Sequence, residues 1–108
     1  MVRIFWFKHF NYLAMNYLYF IFSPSKNKIY VGVTSNLEER LQKHNNHTYS
    51  KAYSKMASDW EYVLKKGFTN KEDALFLERF IKKMKSRKFI EKIINKPDIL
   101  NDILANNK

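Results

Sequence analysis

The chain has 108 residues and a mass of 13.1 kDa, which suffices for one compact domain and is too little for two ordinary ones. Hydrophobic residues make up 45% of it and aromatic residues 17%, so the chain can fill a core and is not expected to be disordered as a whole. The lack of cysteine excludes disulfides, thiolate metal sites and a thiol nucleophile. Lysine and arginine number 20 against 10 acidic residues, a formal net charge of +10. This surplus favours a polyanionic partner, with nucleic acid as the first candidate and an anionic membrane surface as the second.

Bulky apolar residues dominate residues 4–22, but we do not expect this stretch to span a membrane. It is interrupted by Lys8, His9, Asn11 and Asn16, and no apolar run reaches the roughly 18–20 residues that a bilayer requires. No convincing cleavage site of a secretory signal follows, so we expect a cytoplasmic protein with no membrane partner. Met15 is a candidate initiator, because the regular pattern begins directly after it. If residues 1–14 are native, we expect them to form an extra aromatic helix packed on the domain.

The next part of the chain predicts a β-hairpin. Two β-rich runs, 17–22 and 28–34, flank a turn-forming cluster at 23–27. Pairing Ser23 with Lys28 leaves the loop 24–27 and places Tyr19 opposite Gly32 and Ile21 opposite Tyr30. Side chains alternate along a strand, so Tyr19, Tyr30 and Gly32 then share one face. Since glycine has no side chain, space remains above Gly32 for a ring or a ligand.

Capping residues and periodicity predict one further strand and several helices after the hairpin. The strand is expected at 60–68, and the helices from Ser35 or Asn36 to about Asn45, from Thr69 or Asn70 to about Lys85, from Ser86 to Ile94, and from Pro97 to about Ala105. The order β-β-α-β-α-α-α predicts an α+β fold, with a small three-stranded, mainly antiparallel sheet flanked by helices.

The first predicted helix carries two polar residues beside its apolar stripe. On a helical wheel, Arg40 and His44 share a sector about 100° wide with Leu37 and Leu41, so they should face the body of the domain. A guanidinium in such a position needs an acid or a phosphate as its partner. His44 also fits an ordinary capping or surface histidine. His44 and His47 could in principle ligate a metal together, but no third His or Cys supports a zinc site, so we discount it.

Glu78 lies at the border of the apolar arc of the second predicted helix. This arc consists of Ala74, Phe76, Leu77, Phe80, Ile81 and Met84. An ordinary i,i+4 ion pair with Lys82 would explain the position of Glu78. The alternative is a carboxylate at the edge of a basic cleft, where a hard cation such as Mg²⁺ would be held beside a phosphate.

Basic residues are densest at 82–88. A solvated helix face explains many such runs, but a surface that follows phosphates, with tyrosines available for stacking, is the alternative. The candidate nucleic-acid-binding residues are Lys51, Lys55, Lys82, Lys85, Arg87 and Lys88.

Taken together, these residues resemble the GIY-YIG endonuclease superfamily. Tyr17-Leu18-Tyr19 and Tyr30-Val31-Gly32 are similar to its two motifs, Arg40 follows Tyr30 by ten positions, and His44 follows Arg40 by four. The segments Asp59-Trp60-Glu61, Ala74 to Glu78 and Lys85-Ser86-Arg87 resemble the small single-domain bacterial subfamily related to the UvrC nuclease domain. The resemblance covers 16–95 as the nuclease-like domain, with 1–15 as an N-terminal appendage and 96–108 as a C-terminal helical tail.

The resemblance implies a metal-dependent endonuclease that hydrolyses phosphodiester bonds, with DNA as the expected substrate. Tyr19 would be the general base, and Tyr30 and Arg40 would position the scissile phosphate and stabilise its developing charge. His44 would assist proton transfer or contact the phosphate, and Glu78 would hold a single Mg²⁺ or Mn²⁺. A free phenol has a pKa near 10, so a basic Tyr19 requires positive charge nearby that lowers its pKa.

Two positions depart from the family pattern. Tyr17 stands where the first motif has its glycine, and Asn95 is the nearest candidate for a late asparagine of the family. A non-catalytic nucleic-acid-binding module with the same fold is the alternative function, and a membrane-surface protein that uses the aromatic N-terminus is a third. No appended recognition domain is evident in the sequence, so we expect modest specificity or a protein partner that supplies it.

Overall fold

The structure, a computed structural model, describes residues 15–46 and 56–107. The described elements, in chain order, are β1 (Asn16–Ser23), β2 (Lys28–Thr34), α1 (Leu37–Asn45), β3 (Glu61–Phe68), α2 (Lys71–Met84), α3 (Arg87–Asn95) and α4 (Ile99–Asn106). Within the described ranges, no helix has the length and apolar character needed to cross a bilayer. The helix predicted for residues 1–14 and the candidate DNA contacts Lys51 and Lys55 lie outside the described residues.

The three strands form an antiparallel sheet in the order β2-β1-β3, which confirms the predicted α+β class. The predicted hairpin register is also confirmed, because Tyr19 pairs with Gly32 and Ser23 with Lys28. The turn is held by Asp59, whose carboxylate accepts hydrogen bonds from the buried Ser23 hydroxyl at 2.6 Å and from the Ser25 backbone N–H at 2.8 Å. These two bonds lower the pKa of Asp59 below its ordinary value, since they favour the ionised carboxylate.

Each face of the sheet packs against its own apolar cluster. On one face, Leu18, Phe20 and Val31 are buried with residues from the helices α2, α3 and α4: Leu77, Ile81, Ile93, Leu100 and Ile103. On the other face, Tyr19 and Ile21 are buried with Trp60, and Leu37 and Leu41 of α1 pack against them. The alternation of β1 thus assigns Tyr19 to the face that α1 covers.

The predicted helix starts are confirmed where a side chain caps the first turn. Oδ1 of Asn36 accepts from the Glu39 N–H at 3.0 Å, Oδ1 of Asn70 accepts from the Glu72 N–H at 2.8 Å, and the Ser86 hydroxyl accepts from the Phe89 N–H at 3.1 Å. The predicted start of the fourth helix at Pro97 is wrong, because α4 begins at Ile99. A tighter turn precedes it, in which the Pro97 carbonyl accepts from the Leu100 N–H.

Two further predictions are corrected by local contacts. Trp60 precedes β3 instead of belonging to it, because the Asn45 side chain takes both of its backbone groups, at 2.7 Å to the N–H and 3.1 Å to the carbonyl. Met84, predicted in the apolar arc of α2, is 49% exposed. It is the last residue of that helix, and the chain turns away at Lys85 with φ of 49°.

β3 carries an irregularity that decides which of its side chains reach α1. Phe20 pairs with Leu64, but the next residue of β1, Ile21, pairs with Tyr62, so Val63 is an extra residue of a β-bulge. Leu64 therefore packs on the side of α2, whereas Tyr62 packs on the side of Tyr19.

Candidate active site

Tyr19 lies at the centre of a polar cluster on the α1 face of the sheet. Its hydroxyl is 2.8 Å from Nε2 of His44 and 3.5 Å from Nη1 of Arg40. Its ring lies over Gly32, as the hairpin register predicted. The side chain is completely buried, so every polar contact of this hydroxyl must be made inside the protein.

α1 delivers both Arg40 and His44 to this cluster from positions one helical turn apart. Nη1 of Arg40 also donates to the Val33 carbonyl at 3.2 Å, which fixes the half-buried guanidinium against β2. His44 is 2% exposed, in agreement with the predicted orientation toward the body. The end of α1 is anchored by the bidentate contact of Asn45 with Trp60, so the position of His44 is set by neighbours on both sides.

Burial determines the protonation states of the cluster. It raises the pKa of Tyr19 far above its ordinary value of 10.0, and the Arg40 charge and hydrogen bond only partly oppose this. The nearby positive charge thus acts in the expected direction, but burial outweighs it and the pKa of Tyr19 stays above its ordinary value. Burial, and secondarily the Arg40 charge, lowers the pKa of His44 from 6.5 to about 4, so the imidazole is neutral at pH 7.

These states define the direction of the hydrogen bonds. A protonated, fully buried Tyr19 hydroxyl needs a hydrogen-bond acceptor. Among the described residues, Nε2 of the neutral His44 is the acceptor within hydrogen-bond distance. The Tyr19 oxygen in turn accepts from Arg40. A donor chain thus runs from the guanidinium through the phenol to the imidazole, and it assigns the proton of the ring to Nδ1 of His44.

Tyr30 connects this cluster to Glu78, which lies on the helix covering the opposite face. The Tyr30 and His44 ring centroids are 5.0 Å apart. Nζ of Lys82 lies 5.1 Å from the Tyr30 ring centroid and 3.0 Å from Oε2 of Glu78. Tyr19 therefore contacts Arg40 and His44, and Tyr30 contacts His44. Glu78 approaches this cluster through Lys82 around the β2 edge of the sheet.

The Glu78 carboxylate fits a hard divalent cation in one specific way. Its side chain is 21% exposed, and Lys82 is its hydrogen-bonding partner among the described residues. Within the described parts of the chain, no three His, Asp or Glu residues are grouped as a metal cage. Mg²⁺ is commonly held by one or two carboxylates together with water and substrate phosphates, and a single accessible carboxylate beside basic residues matches that requirement.

The described candidate DNA contacts differ in how far their charges are already engaged. Lys82, Lys85 and Arg87 line one groove, whereas Lys88 is exposed on α3. The Arg87 guanidinium donates to the Asn27 carbonyl at 2.7 Å and to its Oδ1 at 2.9 Å, so it also ties α3 to the hairpin turn.

Three residues of the site region were not found by the sequence analysis. Tyr62 packs its ring edge-to-face on Tyr19, with centroids 5.6 Å apart, and its hydroxyl donates to the Leu37 carbonyl at the start of α1. Asn45 anchors the other end of this helix. Lys28 lines the groove with Lys82, and its place at the start of β2 was the available signal. The candidate late asparagine, Asn95, ends α3 and is exposed.

The fold and the cluster define a small α+β domain in which two tyrosines, a guanidinium and an imidazole meet on one face of a three-stranded sheet. Residues 15–92 of the 108 match the family model described as the GIY-YIG catalytic domain, and the chain belongs to this family. The predicted superfamily is thereby confirmed, and with it a nuclease-type fold whose members are in general endonucleases that act on nucleic acid. No curated protein and no solved structure matches the chain significantly.

Proposed function

We propose that this protein is a metal-dependent endonuclease that hydrolyses phosphodiester bonds in DNA. The observation that carries the proposal is the donor chain from Arg40 through Tyr19 to a neutral His44, which ends in a group that can accept a proton. Phosphodiester hydrolysis needs such an acceptor for the proton of the attacking water, together with positive charge for the phosphate. Both requirements are met within one contact network.

Tyr19 acts as the residue that takes the proton from water, and His44 is where the proton ends. The water gives a proton to Oη of Tyr19 while the Tyr19 hydroxyl passes its own proton to Nε2 of His44. The water oxygen then bonds to phosphorus, the bond from phosphorus to the leaving oxygen breaks, and the leaving oxygen takes a proton from solvent. This relay removes the need for a free tyrosinate, which burial makes unfavourable here.

Tyr30, Arg40 and Glu78 bind the reacting phosphate. Tyr30 and Arg40 are half-buried beside the relay, and a hydroxyl and a guanidinium are suitable donors to phosphate oxygens. Glu78 would hold the single Mg²⁺ or Mn²⁺, displacing Lys82 from its carboxylate. When bound, the ion supplies positive charge that polarises the phosphate and stabilises the leaving oxygen.

The net charge of +10 supports a polyanionic substrate, and the proposal names DNA. A protein partner would supply specificity for a target, since the proposed contacts are to phosphates, which carry no sequence information directly. The proposed place of action is the cytoplasm.

One observation favours the alternative, a non-catalytic nucleic-acid-binding module with the same fold. Tyr19 is 0% exposed, so water reaches its hydroxyl only when the side chains packed around it move apart. Under the nuclease proposal, substrate binding at the half-buried Arg40 and Tyr30 moves these side chains and admits water. Under the alternative, Tyr19 stays buried and the protein binds nucleic acid without cleaving it.

Cleavage of branched, flapped and single-stranded DNA in Mg²⁺ or Mn²⁺ separates the two functions. The wild-type protein should cut, Glu78→Gln should not, and Tyr19→Phe should lose at least about 100-fold, the range that general-base catalysis supplies. Glu39→Gln is the matched control, because Glu39 is also the acid of an i,i+4 pair, with Lys43, but is exposed on α1. Binding without cleavage by any of these proteins would support the alternative, and equal cleavage by all four would indicate a contaminating nuclease and contradict the proposal.

A further inference from the structure

A basic groove lies between the start of β2, the end of α2 and the start of α3. It has a volume of about 280 Å³ and is lined by Lys28, Ile29, Ile81, Lys82, Lys85, Ser86, Arg87 and Ile90. The half-buried Ile29 and Ile90 supply its accessible apolar surface, whereas Ile81 is only 1% exposed, and four cationic side chains line the same groove. Such a combination suits a ligand with both a phosphate and an apolar surface.

This basic groove continues to the candidate active site. A second groove, of about 340 Å³, is lined by Ile29, Tyr30, Val31, Lys82 and Ile90, so it shares Ile29, Lys82 and Ile90 with the first. One end of this second groove is formed by Tyr30, whose ring packs edge-to-face against His44. A chain of nucleotides leaving the scissile phosphate therefore has a continuous path along the β2 edge toward the hairpin turn.

The cations of the basic groove are not equally engaged. Arg87 is held by Asn27 and also donates to Glu91 at 2.9 Å, so its guanidinium is fixed as part of the wall. Lys82 is paired with Glu78. Lys28 and Lys85 are exposed and form no ion pair with any residue that the structure describes, so their charges are the ones available to a new anion.

We propose that the basic groove binds an unpaired nucleotide next to the scissile phosphodiester, with Lys28 and Lys85 on its phosphate. This inference rests on the proposed function and names its substrate class: DNA with a single-stranded flank beside the cut. The half-buried Ile29 and Ile90 favour an unpaired nucleotide. Their apolar surface suits the face of a base, and the bases of a duplex are stacked and paired inside it.

Equilibrium binding in EDTA tests the inference without cleavage. One DNA is a hairpin duplex with a single-stranded flank of about six nucleotides, close to the smallest common site size for single strands, and the other is the same hairpin without a flank. The test protein carries Lys28→Gln and Lys85→Gln. The matched control carries Lys71→Gln and Lys92→Gln, which remove the same charge from exposed helix positions outside both grooves.

The double groove variant should bind the flanked DNA several-fold more weakly than the control variant. The slope of log K against log salt should become shallower by roughly 0.7, since both lysines act on one phosphate and each phosphate contact on a single strand contributes about 0.7. The two variants should bind the flankless hairpin equally. Equal binding of the flanked DNA, or an equal loss on the hairpin without a flank, would overturn the inference.

Failure of this inference and failure of the proposed function give different results. If flanked and flankless DNA are cleaved at equal rates and binding does not depend on Lys28 and Lys85, the role proposed for the basic groove is refuted and the proposed nuclease activity is supported. If binding of flanked DNA depends on Lys28 and Lys85 but no DNA is cleaved in Mg²⁺ or Mn²⁺, the proposed nuclease activity is refuted and the basic groove is supported as a binding site for single-stranded flanks. Groove-dependent binding together with faster cleavage of flanked DNA supports both.

Discussion

Gly32 lies directly against the hydroxyl end of Tyr19, so the smallest side chain added there should disturb the candidate active site. A Cβ at this position would be 2.6 Å from Cζ and 3.0 Å from Cε2 of Tyr19, and closer still to its hydroxyl oxygen. No glycine of the described residues has a positive φ, so the demand at Gly32 is for space and not for an unusual backbone conformation. The ring cannot rotate away freely, because it is fully buried and its hydroxyl is bound to His44.

The expected cost of Gly32→Ala follows from this overlap. Forcing an extra methyl group into a packed interior costs about 1–3 kcal/mol, which corresponds to roughly 10 °C in Tm for a domain of this size. A displacement of Tyr19 by about 1 Å would in addition lower the rate of cleavage on the order of 100-fold. The loss of activity should therefore exceed what the fraction of unfolded protein explains.

Gly67→Ala is the matched control, because Gly67 also lies in a strand of the same sheet. A Cβ there would meet the end of the flexible Met15 side chain, and 3.1 Å away Cε1 of Tyr17, on a chain segment outside the Tyr19 cluster. Thermal unfolding and single-turnover cleavage at saturating protein should show a change within about 0.5 kcal/mol and normal activity. If Gly32→Ala matches Gly67→Ala in both measurements, Tyr19 is not confined as described.

Three further outcomes follow from the cluster. As the pH is lowered from about 6.5 to 4, the free energy of unfolding should fall by on the order of 3 kcal/mol at most, because the unfolded chain binds a proton at His44 that the folded state excludes. In His44→Gln, the free energy of unfolding measured in urea should depend less on pH in this window. The same pH dependence in the variant and the wild type would contradict the lowered pKa of His44. Arg40→Lys should lower single-turnover cleavage about 10- to 100-fold with little change in Tm, because an ammonium lacks the planar pair of donors with which a guanidinium binds two phosphate oxygens at once; a normal rate would exclude a role for this bidentate binding. Lys82→Met should tighten Mn²⁺ binding up to about fivefold by calorimetry, since the ammonium competes for Glu78, and unchanged or weaker binding would place the ion elsewhere.

The parts of the site that local chemistry decides were predictable from the sequence. The turn at 24–27 determines the register of β1 and β2, and that register alone places Tyr19 over Gly32. Side-chain caps determine where α1, α2 and α3 begin, and the helical period then turns Arg40 and His44 toward the sheet. Each of these features depends on residues that are close in sequence.

The parts that depend on distant contacts were not predictable. A strict alternation along β3 would put Tyr62 and Leu64 on one face, and only the bulge opposite β1 separates them. The balance between burial and the charge of Arg40 at Tyr19 depends on how deeply the ring is packed, which no spacing in the sequence reveals. The bridge from Glu78 to Tyr30 depends on the placement of α2 beside β2, of which the sequence indicated only the i,i+4 pair.

In the proposed function, an acid on one side of the sheet and a phenol–imidazole relay on the other serve a single scissile phosphate. Crystals of the protein with a non-cleavable oligonucleotide and Mn²⁺ test it most directly, through the anomalous signal of the ion. One peak bonded to a carboxylate oxygen of Glu78 and to a phosphate that also contacts Arg40 is the predicted result. A phosphate bound at Arg40 with the ion elsewhere, or an ion on Glu78 remote from any phosphate, would contradict the claim.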